Sequence, residues 1–457
     1  MVHGFVVSVL ALGLPTLAMA SPLSVEQQRD IDASVGEWVA QTGAPSVSIA
    51  VASDGQVVYA KAYGMARLAP RRQATPQTRY AIDSVSKEFT AAAMLKLQEE
   101  GKLSLDDKVS KFFPELASAD EVSLRQILSH TAGYRDYWPQ DFVTIEMSHP
   151  TTVRAILDEW GKKPLDFPPG TSWQYSNTGF VIAGAIVEKV AGQSLQDFLR
   201  AKIFAPLKMQ GVTDADQTAL GPADAGAYTR AGAGPIRPAP KEGQGWLFAA
   251  SELAMSPQEL ARWDISLMAR SLLKPQSYDA LYQPTVLTNG RNSHYSLGLG
   301  VRDDRGRLVL EHGGGGSGFL AANVMWPTQK LAVIAFTNND WASPDAVAQR
   351  VAFVVLPPQP AEARARRVFQ DFQAGVVDRS LFTEDGNAHL SAQILADQKA
   401  GLSSFGAARL IEETGEAMRG GLLTRTWKIT TKKGVLTVVE RGYPDGKLEQ
   451  FMIGKAD

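Results

Sequence analysis

Strand-forming sequence in this chain occurs in two widely separated blocks. The first, "PSVSIAVASDGQVVYAKAYGMA" from Pro45, gives two alternating runs joined at Asp54-Gly55, a dipeptide that readily adopts the positive φ of a tight hairpin. The second, residues 295–338, reads "YSLGLGVRDD", "RLVLEH", "FLAANVMWP" and "LAVIAFTNN", with turns at Asp304-Arg305-Gly306 and from Pro327 to Lys330. Between the blocks, from Ser84 to about residue 210, helical spacing dominates in segments such as "VSLRQILSH" and "FVIAGAIVEKVAG", broken by Pro/Gly stretches like "FPPGTS". An opening helix is expected ahead of the first block, where Ile31, Val35, Trp38 and Val39 share a face and Gly43 stops it. The predicted architecture is α/β (α+β): one antiparallel sheet completed by both blocks, flanked by helices, with the helical stretch inserted as a lobe. Chemistry is expected in the cleft between lobe and sheet.

Residues 221–245, rich in Gly, Pro and Ala without periodicity, predict a long surface loop overhanging that cleft. "LPPQPAEARARR" (356–367) reads as a domain linker. Helical stretches and then "LLTRTWKITT", "VLTVVERGY" and "KLEQFMIGK" follow it, joined at Lys433-Gly434 and Pro444-Asp445-Gly446, so a small C-terminal α+β domain is expected. The division is 21–355 for the main domain and 356–457 for linker and small domain. The apolar run at 1–20 ends in Ala18-Met19-Ala20, the small-x-small pattern of a signal-peptidase site, and predicts cleavage after Ala20 and a periplasmic or secreted protein.

With 457 residues the chain can bury a large core, and 46 Lys and Arg against 48 Asp and Glu leave a net charge of −2. That balance lacks the basic excess that nucleic acid demands, so none is expected as a partner. The absence of cysteine excludes disulfides, a lipidated N-terminal cysteine and thiolate metal sites. No second apolar stretch is long enough for a membrane span in the mature chain. The six histidines show no H-x-x-x-H or H-x-H spacing, and no G-x-S-x-G occurs, which removes the common zinc and nucleophile-elbow hydrolases. No metal or cofactor is expected.

Three sets of residues remain. Ser84 and Lys87 stand three apart at a predicted helix start, so the amine can reach the hydroxyl. The helix N-terminus and apolar neighbours favour a lysine with a depressed pKa, able to act as a base. Taken alone, a capping serine with a solvated lysine is the commoner explanation, since S-x-x-K arises often by chance. Tyr175 and Asn177 in "WQYSNTGF" point the same way from an extended or turn segment. A phenol beside an ammonium is expected to titrate below about 10, and a carboxamide can orient both lysine and substrate; a core tyrosine followed by a helix cap is the plain alternative. "HGGGG" (312–316) places four glycines after an apolar strand, where a bare backbone admits close approach. Gly313, Gly315 and Gly318 match G-x-G-x-x-G in form, but a strand follows and not a helix, so a dinucleotide site lacks its context.

In order along the chain, Ser84-x-x-Lys87, Tyr175-x-Asn177 and His312-x-Gly314 resemble the catalytic elements of the penicillin-recognising serine hydrolases. The branch they resemble contains class C β-lactamases, D-aminopeptidases, DD-carboxypeptidases and β-lactamase-like esterases. "GKLSLDDKVSKFFPEL", "SLRQILSHTAGY" and "IFAPLKMQGVTD" extend the likeness from about Val25 to Asn338. The resemblance implies an acyl-enzyme at Ser84, acid–base work shared by Lys87 and Tyr175, a positioning Asn177, and an oxyanion site from the N–H groups of Ser84 and Gly315, beside Gly314. It implies an ester, D-amino-acid peptide or β-lactam substrate. Lactamases carry Lys-Thr-Gly where this chain has His312-Gly313-Gly314, so the lysine and threonine that help hold a β-lactam carboxylate are missing. Esters and D-amino-acid amides are therefore expected ahead of β-lactams, with a class C-like lactamase and a non-catalytic penicillin or peptidoglycan binder as alternatives. His130 in "LSHTAG" is read as structural. The C-terminal region faintly resembles the cone-shaped domains of the nuclear-transport-factor type. Oligomeric state is left open.

Overall fold

The computed structural model describes residues 22–455 except 141, 305 and 444. The expected export signal lies outside these residues. Helix α1 (Val25–Thr42) starts at a reciprocal cap between Ser24 and Gln27 and ends at Gly43, whose φ of +67° suits a residue without Cβ. Strands β1 (Ser46–Ser53) and β2 (Gln56–Leu68) form the expected hairpin, with Asp54 and Gly55 both at positive φ. A short β3 (Arg71–Gln73) follows.

The second block supplies β4 (Gly300–Asp304), β5 (Arg307–Gly316), β6 (Phe319–Trp326) and β7 (Leu331–Thr337). Together they make one seven-stranded sheet, ordered β3-β2-β1-β7-β6-β5-β4. The seam between the two blocks is the antiparallel pair β1 and β7, in register from Val47 opposite Thr337 to Ser53 opposite Leu331. Both faces of this seam are covered, which is why "LAVIAFT" reads as an unbroken apolar run. Val47, Ile49, Val51 and Val333 pack against Ile31, Val35 and Trp38 of α1 on one face, together with Val347 and Val351 of a later helix. On the other face Ala50, Ala52, Ile334 and Phe336 share one core with helix α2 (Ser86–Glu99), helix α3 (Asn177–Ala191) and helix α4 (Pro257–Ala269) of the inserted lobe, and α4 lies directly on β1 and β7. Helix α5 (Asp345–Val355) carries the two valines that close the first face.

The expected linker is shorter than the sequence implied. Only residues 356–359 connect; Pro360 then takes the first position of helix α6 (Pro360–Ala374). Ala365, Val368, Phe369 and Phe372 of α6 bury against Trp427, Ile429 and Val438 of a four-stranded antiparallel sheet. That helical spacing was hidden inside a Pro- and Arg-rich stretch. Helix α7 (Ala392–Leu402) precedes strands β8 (Ala408–Arg419), β9 (Leu422–Thr431), β10 (Val435–Gly442) and β11 (Leu448–Lys455), which pair in sequence order. Sequence reading missed β8, whose second half is exposed and polar. The small domain docks on α1 through the Arg409–Glu37 ion pair, 2.8 Å from Nη2 to Oε1.

Candidate active site

Ser84 sits in a tight turn (Asp83–Val85) that runs directly into α2, and Asp83 before it has φ +45°, an uncommon conformation for a residue other than glycine. Lys87, one turn on, is fully buried. Its Nζ lies 3.0 Å from Ser84 Oγ, 2.8 Å from Asn177 Oδ1 and 2.9 Å from the Ala250 carbonyl. Burial is the main influence on the amine and pulls its pKa down to about 7, against the pull of Asp136, Glu252 and Asp83 in the other direction.

Asn177 is the first residue of α3, after Ser176 caps that helix. Its Nδ2 donates to both oxygens of buried Asp136, at 3.2 and 3.3 Å, and its backbone N–H donates to the same carboxylate at 3.0 Å. These bonds fix the amide so that its oxygen faces Lys87. Tyr175 is buried beside this group, its ring 4.8 Å from Lys87 Nζ. The phenol departs from expectation: burial raises its pKa above the ordinary value, and the nearby Ser84 side chain offsets this only in part. Desolvation dominates, so Tyr175 is a protonated phenol at neutral pH. Among the described residues, no hydrogen-bond partner of ordinary geometry reaches its oxygen. His130 stacks on the Tyr175 ring with centroids 4.2 Å apart and accepts the Ser176 N–H at Nδ1, which holds the "YSN" segment in place.

The glycine run approaches from the sheet. Strand β5 pairs with β4 only as far as Glu311, so from His312 to Gly316 its outer edge has no strand neighbour and lies against the Ser84 turn. A Cβ on Gly314 would stand 2.0 Å from the Ile82 carbonyl oxygen, and one on Gly316 2.4 Å from Asp83 Oδ1. The bare backbone at Gly314 thus serves close packing of strand on turn, where the sequence pointed to substrate approach. Gly315 does line the cavity, together with Ser84, Tyr175 and Asn177. His312 does not reach it: Nδ1 lies 2.6 Å from the Gly313 carbonyl and Nε2 2.8 Å from Tyr295 Oη. A carbonyl only accepts, so Nδ1 carries the proton and Nε2 accepts from the tyrosine. Burial drives this histidine's pKa down to about 3, which makes it neutral.

The cavity measures about 730 Å³ and is walled by Trp138, Gln140 and Gln174 of the lobe, Ser251, and Leu320 and Asp340 of the sheet side. Residues 221–245 do not overhang it. They line a neighbouring cavity of about 340 Å³ with Asp83 and Phe319, because Tyr228 N–H bonds to the Gly318 carbonyl and ties the loop behind the β5–β6 turn. Three features of the site escaped sequence reading. Asp136 lies in "GYRDYW" with no motif to mark it, Tyr295 is joined to the site through His312 with no motif of its own, and the Ala250 acceptor is a backbone atom that any residue supplies.

Residues 31–355 match the family described as Beta-lactamase, well over half of the chain. The chain belongs to that family. Among curated relatives of this β-lactamase-family protein, Penicillin-binding protein 4* of Bacillus subtilis is 25% identical over 64% of this chain and 68% of its own length. A D-aminopeptidase of Gluconobacter oxydans is 27% identical over 70% of this chain and 61% of that relative. This chain thus spans about two thirds of the length of the curated relatives it matches. The solved octameric penicillin-binding protein homologue from Pyrococcus abyssi superposes with a TM-score of 0.65 at 21% identity, covering 94% of both chains, and shares the fold through the small domain.

Proposed function

We propose that this protein is an exported serine hydrolase that forms an acyl-enzyme at Ser84 and acts on esters or on amide and peptide bonds of D-amino acids. The observation that carries the reading is the environment of Lys87 Nζ. Two of its three partners, Asn177 Oδ1 and the Ala250 carbonyl, can only accept hydrogen bonds, and they use the two protons of a neutral amine. The lone pair then faces the Ser84 hydroxyl, the geometry of a general base on its nucleophile.

The steps close without a further reactant. Ser84 Oγ bonds to the substrate carbonyl carbon as its proton passes to Lys87, and the N–H groups of Ser84 and Gly315 hold the oxyanion. The bond to the leaving group breaks as Tyr175 gives that group its proton. Lys87 is now an ammonium beside a phenolate, so the charges offset one another. Water attacks the acyl carbon and gives its proton to Tyr175; the ester bond breaks, and the Lys87 proton returns to Ser84. The raised phenol pKa fits this order, because Tyr175 must begin as the acid. D-Amide chemistry draws support from the named D-aminopeptidase relative, and weak β-lactam turnover from His312, whose two nitrogens are occupied inside the protein.

The test is labelling with a fluorophosphonate followed by peptide mass spectrometry, alongside p-nitrophenyl acetate turnover. One label on Ser84, multiple turnovers and slow nitrocefin cleavage are expected. Labelling that survives Ser84→Ala removes the proposal, and a single-turnover burst favours the non-catalytic binder instead.

A further inference from the structure

The charged residues among those described as lining the catalytic cavity are Asp136 and Asp340, both carboxylates. Asp136 is committed to the protein: it accepts from Asn177 twice over and from the Trp138 N–H at 3.2 Å. Lys87 is buried with its donors taken, and His312 is neutral and turned inward. No positive group on the wall therefore faces a substrate. Asp340 is different. It follows β7 at the mouth of the cavity, exposed, with no hydrogen bond or ion pair to any described residue. Trp138 and Tyr175 line the same cavity. An unpaired carboxylate with aromatic rings around one cavity is the chemistry that receives an ammonium group.

Resting on the hydrolase reading above, we infer that the acyl-donor site selects substrates whose acyl part carries a positive charge, with Asp340 as the residue that sets this preference. The acyl carbon sits at Ser84, and the cationic group lies towards the mouth, in the part of the cavity that Asp340 lines. An acyl chain with an ammonium group several bonds from its carbonyl meets this requirement; a neutral or anionic acyl chain does not.

The experiment compares p-nitrophenyl 4-(trimethylammonio)butanoate with its neutral isostere p-nitrophenyl 5,5-dimethylhexanoate, each rate divided by the ester's own hydroxide rate. The pair differs in a fixed charge and hardly in shape. The native protein should give a cation-to-neutral ratio of kcat/KM above one, falling towards one in about 0.5 M salt, where the screening length is only a few ångströms. Asp340→Asn should lower the ratio about fivefold, the upper range for an exposed charge pair, and Asp340→Lys should invert it. A ratio at or below one in the native protein, or one that Asp340→Lys does not move, overturns the inference while Ser84-dependent turnover leaves the hydrolase reading standing. If ester turnover does not require Ser84, that reading fails and this inference falls with it.

Discussion

In the proposed mechanism a single buried nitrogen decides most of the chemistry. A lysine in water holds its proton to about pH 10.4, and Lys87 is brought to about 7 chiefly because its ammonium would lie fully away from water. Asp136 limits the fall without contacting the amine, since Asn177 stands between them and presents its oxygen to Lys87 and its N–H groups to Asp136. A base works when deprotonated, so activity must fall as pH drops through the pKa of the free enzyme. We expect kcat/KM for p-nitrophenyl acetate to rise through about pH 7 to a plateau, and Lys87→Met to lower that plateau by about 10²- to 10⁴-fold. A profile flat from pH 5 to 9 in the native protein would show that Lys87 is not the base. At this scale the sequence was informative about identity and poor about environment. Ser84, Lys87, Tyr175, Asn177 and Gly315 lie together round one cavity, the grouping that the resemblance implied, but the direction of the Tyr175 shift depends on burial beneath His130, which no local motif encodes.

At the level of elements, the site exists because the end of β5 packs on the Ser84 turn more closely than side chains allow. The four glycines look alike in sequence, and their surroundings separate them. A methyl group on Gly314 would meet a backbone oxygen at 2.0 Å, which neither strand nor turn can yield without moving, whereas on Gly313 its nearest neighbour is the Ala321 carbonyl at 3.9 Å. Gly314→Ala should cost about 1–3 kcal/mol and reduce fluorophosphonate labelling of Ser84, while Gly313→Ala should stay within about 0.5 kcal/mol. Denaturant melts of the two variants measure this, and equal losses would mean that the strand slides freely. Periodicity gave the major strands and long helices because their burial follows from one face or from complete enclosure. It failed where that link is loose: the half-exposed β8 lacks an apolar pattern, and the Pro and Arg residues around α6 concealed four buried positions on one side of a helix.

Across the whole molecule, the helical lobe is fastened to the sheet by acids as well as by apolar packing. Glu88 of α2 and Asp264 of α4 are both buried, and both accept from the one Nδ2 of Asn323 on β6, at 3.1 and 3.0 Å. Trp263 Nε1 donates to Glu88 at 2.7 Å, and Asn323 stands opposite His312 in the β5–β6 ladder, so the fastening lies close to the candidate site. Two buried carboxylates on one donor cannot both be charged at modest cost. Burial raises the Glu88 pKa to about 7, and burial, with the Glu88 charge adding to it, raises that of Asp264 well above the carboxylate range. The folded state therefore holds a proton that the unfolded chain releases near pH 4.5. Stability from this site is complete below about pH 4.5 and is lost as pH rises through about 7, on the order of 2 to 3 kcal/mol in all. Glu88→Gln removes the titrating group, and the unpaired Asn323 Oδ1 can accept from the new amide after a flip of the Asn323 side chain. The difference in unfolding free energy between pH 5 and pH 8, from urea melts, should be smaller in this variant than in the native protein. An unchanged or larger difference would mean that Glu88 is ionised throughout the range and that Asp264 alone keeps the proton.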